Sequence, residues 1–131
     1  AANTVATYQS VLTAMEDPDC VIVDNRSHDE FIGVDKRARH GGAIPTAKHL
    51  DWEDLYDHDT GCMKPATALR EAFETKGITP DKDVTLYCNT GYRSAHAYLA
   101  LRLLNYPRIR NYVGSWQEWG NRDGLPISKP A

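Results

Sequence analysis

Short apolar blocks alternate along the chain with longer amphipathic stretches, and the period of each block sets the element it can form. Residues 4–16 place Val5, Tyr8, Val11, Leu12 and Met15 on one helical face and stop at Asp17-Pro18, a dipeptide that ends helices. Cys20-Val21-Ile22-Val23 is apolar on both faces and ends at Asp24, which reads as a strand buried in a parallel sheet. Glu30-Phe31-Ile32-Gly33 predicts a single helical turn. Residues 33–42, with Lys36, Arg37, Arg39 and His40, predict an exposed, mobile loop. Ala43-Ile44-Pro45 reads as a short edge strand and residues 51–55 as a brief helix.

From Pro65 to Lys76 the apolar positions Ala66, Leu69, Ala72 and Phe73 recur at helical spacing, with proline at the start and Gly77 just past the end. Val84-Thr85-Leu86-Tyr87 is a second buried strand, and it runs directly into Cys88. A glycine-containing loop follows, then a helix from Ser94 through Leu104 that is apolar on most sides and therefore packed beneath other elements. Residues 109–113 read as the last strand and residues 115–119 as one helical turn. Strands alternating with helices imply crossover connections and a covered sheet. The expected architecture is a three-layer α/β/α domain around a central, mainly parallel sheet of about five strands.

With 131 residues, the chain suffices for one hydrophobic core and is read as a single domain over 1–131. Fifteen Lys and Arg against 18 Asp and Glu leave a charge of −3, so no basic field exists for a nucleic acid. No apolar run approaches the roughly 18 residues of a membrane span, so no membrane partner is expected. The first residues carry neither a basic nor an apolar leader region, which favours a cytoplasmic location, or a periplasmic one if a leader has been removed.

Three cysteines, Cys20, Cys62 and Cys88, are too few and odd in number for a disulfide framework. None belongs to a CxxC pair, and His58 with Cys62 is too small a set to hold a metal. Cys20, beside a strand, reads as a buried and inert hydrophobe. Cys62 reads as an exposed bystander or a resolving thiol. Cys88 stands apart, because ligands of open α/β sheets bind beyond the carboxyl ends of the strands. There the segment Cys88-Asn89-Thr90-Gly91-Tyr92-Arg93-Ser94 is strand, loop, then helix. Loop amides, the positive end of the helix and Arg93 would each favour thiolate over thiol. Gly91 permits a turn that a side chain resists, and Ser94 suits the helix N-cap.

That seven-residue segment resembles the active-site loop of rhodanese-type sulfurtransferases. Val23-Asp24-Asn25-Arg26, Glu30-Phe31-Ile32-Gly33 and Gly42-Ala43-Ile44-Pro45-Thr46-Ala47 resemble the family's first signature region and its glycine-isoleucine-proline turn. Gly114-Ser115-Trp116-Gln117-Glu118-Trp119-Gly120 resembles the closing segment of the catalytic C-terminal half of the tandem enzymes. The resemblance implies a double displacement without cofactor or metal. Cys88 takes a sulfane sulfur from a small anionic donor such as thiosulfate, becomes a persulfide, and passes the sulfur to cyanide, a thiol or a protein acceptor. It also implies that Asn89, Thr90, Gly91, Tyr92, Arg93 and Ser94 line the substrate site, with Asp24 and Arg26 supporting the loop.

The same fold resembles that of cell-cycle phosphatases, whose loop has five residues between cysteine and arginine. Here there are four, Asn89 to Tyr92, which encloses a smaller pocket suited to one sulfur atom. A regulatory module of this fold usually lacks the cysteine, which favours an enzyme. One departure concerns the donor. Tandem enzymes carry an anion-gripping arginine where Glu30 stands, so Arg93 is the expected anion contact. Asp24 and Arg26 read as a salt bridge orienting the cysteine loop, or as caps at a strand end. Trp116 and Trp119 read as core or pocket-wall aromatics, His96 as solvent-facing and Tyr92 as a residue of the pocket mouth. The basic cluster at 36–40 reads as a solvated loop, or as a surface that steers anions.

Overall fold

The computed structural model describes residues 4–130. Its elements run β1 (Val5–Ala6), α1 (Tyr8–Ala14), β2 (Cys20–Asp24), α2 (His28–Phe31), β3 (Lys48–His49), a 3-10 turn (Trp52–Leu55), β4 (Tyr56–Asp57), β5 (Cys62–Met63), α3 (Ala66–Glu74), β6 (Asp83–Tyr87), α4 (Tyr92–Leu103), β7 (Ile109–Tyr112) and α5 (Ser115–Trp119). Five strands form one parallel sheet in the order β1-β7-β6-β2-β3, while β4 and β5 make a separate antiparallel pair.

The two long strands occupy the middle of the sheet because their side chains are apolar on both faces. In β2, Val21 and Val23 face one way and Ile22 the other; in β6, Val84 and Leu86 oppose Tyr87 in the same manner. One face is covered by Leu69 and Phe73 of α3 and by Ala97, Ala100 and Leu101 of α4. The other is covered by Val11 of α1, Ile44, Trp116 and Trp119. Helices on both faces of a parallel sheet give the expected three-layer α/β class.

Several boundaries differ from the sequence reading. The first predicted helix begins later, because Val5 and Ala6 pair with Asn111 and Tyr112 as an edge strand. Thr7 and Ser10 then close a reciprocal capping box that starts α1 at Tyr8. The edge beyond β2 is Lys48–His49, not Ala43-Ile44-Pro45. Ala43 makes only an isolated antiparallel bridge to Ser128, and the Ile44 amide donates to the Tyr87 hydroxyl instead of to a strand. In the loop at 33–42, Val34, Lys36, Arg37, Arg39 and His40 are exposed, Ala38 packs against the core, and Gly41 and Gly42 are buried. It is anchored there by His40 N–H to the Gly120 carbonyl and by the Trp116 indole to the His40 carbonyl. Helix α4 begins at Tyr92 with Gly91 as its N-cap at φ +92°, so Ser94 lies within the first turn and does not cap it. Among the described residues no helix is long and apolar enough to cross a membrane.

Candidate active site

Cys88 follows the last residue of β6, at the carboxyl end of the central strand pair, and is buried with 1% of its surface exposed. Its main chain is gripped from behind by the segment that opens α5. The Cys88 amide donates to the Ser115 hydroxyl at 3.1 Å, and the carbonyls of Cys88 and Asn89 accept from the amides of Trp116 and Gln117. Ser115 holds this position with a left-handed backbone at φ +53°, and its hydroxyl donates to the Tyr112 carbonyl at 2.7 Å. The strain of a non-glycine residue in that region is tolerated because these four hydrogen bonds over-determine it.

With the main chain fixed, the loop turns back on its own sulfur. Gly91 N–H points at Cys88 Sγ at 3.0 Å, and Ser94 Oγ lies 3.4 Å from it. The turn needs glycine, because Gly91 sits at φ +92° and an added Cβ would meet the Val113 carbonyl at 3.2 Å. Burial opposes ionisation of Cys88. Hydrogen bonds from the Ser94 hydroxyl and from the amides of Ser94, Thr90 and Gly91 outweigh it, and the thiol is held below its ordinary value. Asn111 of β7 completes the cradle, with its amide nitrogen 3.2 Å from the Gly91 carbonyl and its oxygen 2.7 Å from Ser94 Oγ.

Asp24 and Arg26 form the expected salt bridge, fully buried, with Arg26 Nη2 2.7 Å from the carboxylate. Asp24 also accepts from the Tyr87 hydroxyl at 2.6 Å, while Arg26 donates to the Gly42 carbonyl at 2.6 Å and lies over the Trp116 ring. The pair therefore does not touch the cysteine loop. It acts on the residue before it, Tyr87, and on the glycine turn at Gly42.

Arg93, the expected anion contact, binds Glu30 with both its terminal nitrogens, at 2.8 and 2.9 Å. Glu30 is buried at 1% exposure, accepts from the Ser27 amide and hydroxyl, and lies 3.8 Å from Arg37. Its desolvation is outweighed by Arg93 and Ser27, which bring its carboxyl down to about 2. The Glu30 carboxylate occupies the arginine, a pairing across 63 positions that the sequence does not show.

The remaining candidates divide simply. Thr90 contributes its amide and leaves its side chain exposed, Tyr92 is 80% exposed at the rim, and Asn89 is half-buried. Trp116 and Trp119 are core residues with no exposure. His96 is exposed, stacks on Trp52 and bonds the Tyr56 hydroxyl. Cys62 is exposed, and Cys20 is half-buried with its thiol pushed up by burial and by Asp17. Among the described residues no three His, Cys, Asp or Glu side chains gather as a metal site. Sequence reasoning missed Tyr87, Asn111 and Ser115 as members of the site. Only Ser115 carried a signal, lying in the glycine-serine-tryptophan segment.

The chain matches the family model described as the rhodanese-like domain over residues 7–122. It belongs to the rhodanese-like domain family. Among curated relatives, this rhodanese-like domain is 42% identical over 117 residues to the sulfur carrier protein TtuD of Thermus thermophilus, covering 82% of the chain and 41% of that protein. It is 37% identical over 128 residues to a thiosulfate sulfurtransferase of Pseudomonas aeruginosa, covering 93% and 45%. The chain thus spans under half the length of each. Among solved structures, the anaerobic ergothioneine biosynthesis enzyme of Chlorobium limicola, in complex with trimethyl histidine, superposes with a TM-score of 0.91 at 25% identity. That match covers 98% of this chain and 32% of the enzyme. A structure of EanB bearing a cysteine persulfide matches with the same TM-score.

Proposed function

We propose that this domain is a sulfurtransferase in which Cys88 carries the sulfur. The observation that bears the reading is the convergence of the Gly91 amide and the Ser94 hydroxyl on one buried sulfur. In the first step the Cys88 thiolate attacks the outer sulfur of a donor such as thiosulfate. The new S–S bond forms as the old one breaks, and sulfite departs with the electron pair, leaving Cys88–S–S⁻. In the second step cyanide or a thiolate takes the terminal sulfur and returns Cys88 to its thiolate.

Charge moves by one atom, from Sγ to the terminal sulfur, and the same donors serve both states in the manner of an oxyanion hole. The balance closes on sulfur alone and requires neither cofactor nor metal. The shallow exposure of Cys88 favours a donor that presents a single terminal atom. The names of the relatives support sulfur transfer, and the four-residue spacing from Cys88 to Arg93 disfavours phosphate, whose oxygens need several donors together. Asp24 and Arg26 serve as positioning residues through Tyr87. A cytoplasmic setting and a protein acceptor fit the same chemistry.

The reading is tested by incubating the protein with sulfane donors and cyanide and measuring thiocyanate. Turnover that disappears in Cys88→Ser is expected. Turnover of an aryl phosphate without thiocyanate would overturn it.

A further inference from the structure

We propose that the groove between the 3-10 turn, the β4–β5 hairpin and α4 is a binding site for an organic ammonium ion. The groove encloses about 380 Å³, room for a small ligand, and its walls include Trp52, Tyr56, His96, Glu53 and Asp57. Asp51 starts the 3-10 turn by accepting from the Glu53 amide, which sets Trp52 at its head. Tyr56 opens the hairpin, paired with Met63, and its hydroxyl bonds His96 Nδ1, which ties the hairpin to the helix. Trp52 and His96 stack with centroids 5.6 Å apart, and Tyr56 stands nearly perpendicular to both, at 74° and 77°. The three rings thus make a corner. They do not serve as core residues: in the same turn Leu55 is fully buried, whereas Trp52 and Tyr56 are half-buried and His96 is exposed.

Charge decides which ligand suits that corner. The face of an aromatic ring is electron-rich, indole most of all, and attracts a cation. The chain supplies none there. Among the described residues Arg26 lies over Tyr87 and Trp116 and Arg122 over Tyr8, but no Arg or Lys lies over Trp52 or Tyr56. Glu53 and Asp57 add negative charge, and neither forms a salt bridge among the described residues. Asp57 is held in place by accepting from the Asp59 amide, and Glu53 is exposed. No Lys or Arg stands among the described residues that line the groove, so an anion finds no partner in it. A bare metal ion is no better served, because no three ligating side chains gather there. An organic ammonium ion meets both features, since its carbon substituents lie against the rings and its charge faces the carboxylates.

The test titrates the protein with choline and with dimethylbutanol, the uncharged isostere that has carbon in place of the choline nitrogen. The two share size and shape, so the ratio of their affinities isolates the charge. Trp116 and Trp119 are fully buried, which leaves the indole N–H signal of Trp52 as the nuclear magnetic resonance reporter of the groove. Choline is expected to shift that signal and to bind about fivefold more tightly than dimethylbutanol, the effect of a cation over a half-exposed ring. Glu53→Gln, at an exposed position, should weaken choline by about fivefold, the effect of one unit charge at contact distance in water, and should leave dimethylbutanol unmoved. Trp52→Leu, followed through the His96 ring signals, should weaken choline by a similar factor. Equal affinity for the two probes would reduce the groove to an apolar recess and overturn the proposal. So would a Trp52 signal that choline does not move, or choline affinity unchanged in Glu53→Gln. None of these readouts involves Cys88, so the result stands apart from sulfur transfer.

Discussion

Replacing Ser94 by alanine probes the cradle directly. Three acceptors surround Ser94 Oγ, namely Asn111 Oδ1 at 2.7 Å, the Gly91 carbonyl at 3.2 Å and Cys88 Sγ at 3.4 Å. A hydroxyl has one proton. When Cys88 is a thiol the proton is best placed on the amide oxygen of Asn111, and when it is a thiolate the proton gains by turning to sulfur. The contribution of Ser94 to ionisation is then the difference between a bond to a charge, about 1.5–3 kcal/mol, and an ordinary bond, about 1 kcal/mol. That difference is about 0.5–2 kcal/mol, so Ser94→Ala should raise the Cys88 pKa by about one unit. The amides of Thr90, Gly91 and Ser94 remain, so part of the depression should persist. Thiolate ultraviolet absorbance followed against pH, in a background of Cys20→Ala and Cys62→Ser, isolates the titration without requiring a reagent to reach the buried sulfur. An unmoved midpoint in Ser94→Ala would show that the hydroxyl proton never turns to Sγ. A wild-type midpoint at the ordinary thiol value would refute the cradle altogether.

Glu30, at about 2 in the folded chain against an ordinary value of 4.5, is a depressed carboxyl, so its contribution is present above pH 4.5 and is lost as pH falls toward 2. Denaturant unfolding at pH 7 and at pH 3 should show that loss, up to about 3 kcal/mol over the full range, and Glu30→Gln should largely abolish it. Arg26→Met leaves Asp24 buried and unpaired and should cost about 3–5 kcal/mol, whereas Asp24→Asn with Arg26→Met should cost less than the sum of the single changes. A double-mutant cycle by urea unfolding checks this. Gly91→Ala, at φ +92° and against the Val113 carbonyl, should cost more than about 1 kcal/mol and raise the Cys88 pKa as the loop opens, both measurable on one purified variant.

The two central strands and α3 were legible because their patterns answer to local rules: double-sided apolar runs for β2 and β6, and a helical stripe bounded by Pro65 and Gly77. Cys88 was legible for the same reason, since strand, glycine turn and helix fall within seven residues. What escaped depends on pairing across the sheet. The two-residue strand β1 has no pattern of its own and exists because β7 offers it partners, and β3 likewise extends β2 by only two positions. The β4–β5 hairpin is equally short. Asn111 joins the site because β7 lies beside β6, and Ser115 because α5 returns onto the loop. Neither contact is encoded nearby in the chain. The Glu30–Arg93 fork shows the same limit for charge: a carboxylate and an arginine read separately suggested repulsion and attraction of a donor, whereas together they cancel.

The decisive measurement is intact mass after brief exposure to methanethiosulfonate or thiosulfate, followed by peptide mapping of the added sulfur. One sulfur atom on Cys88, removed by cyanide and absent from Cys20 and Cys62, is the expected result. Sulfur on Cys62 alone, or none on any cysteine of a folded protein, would contradict the assignment of Cys88 as the sulfur carrier.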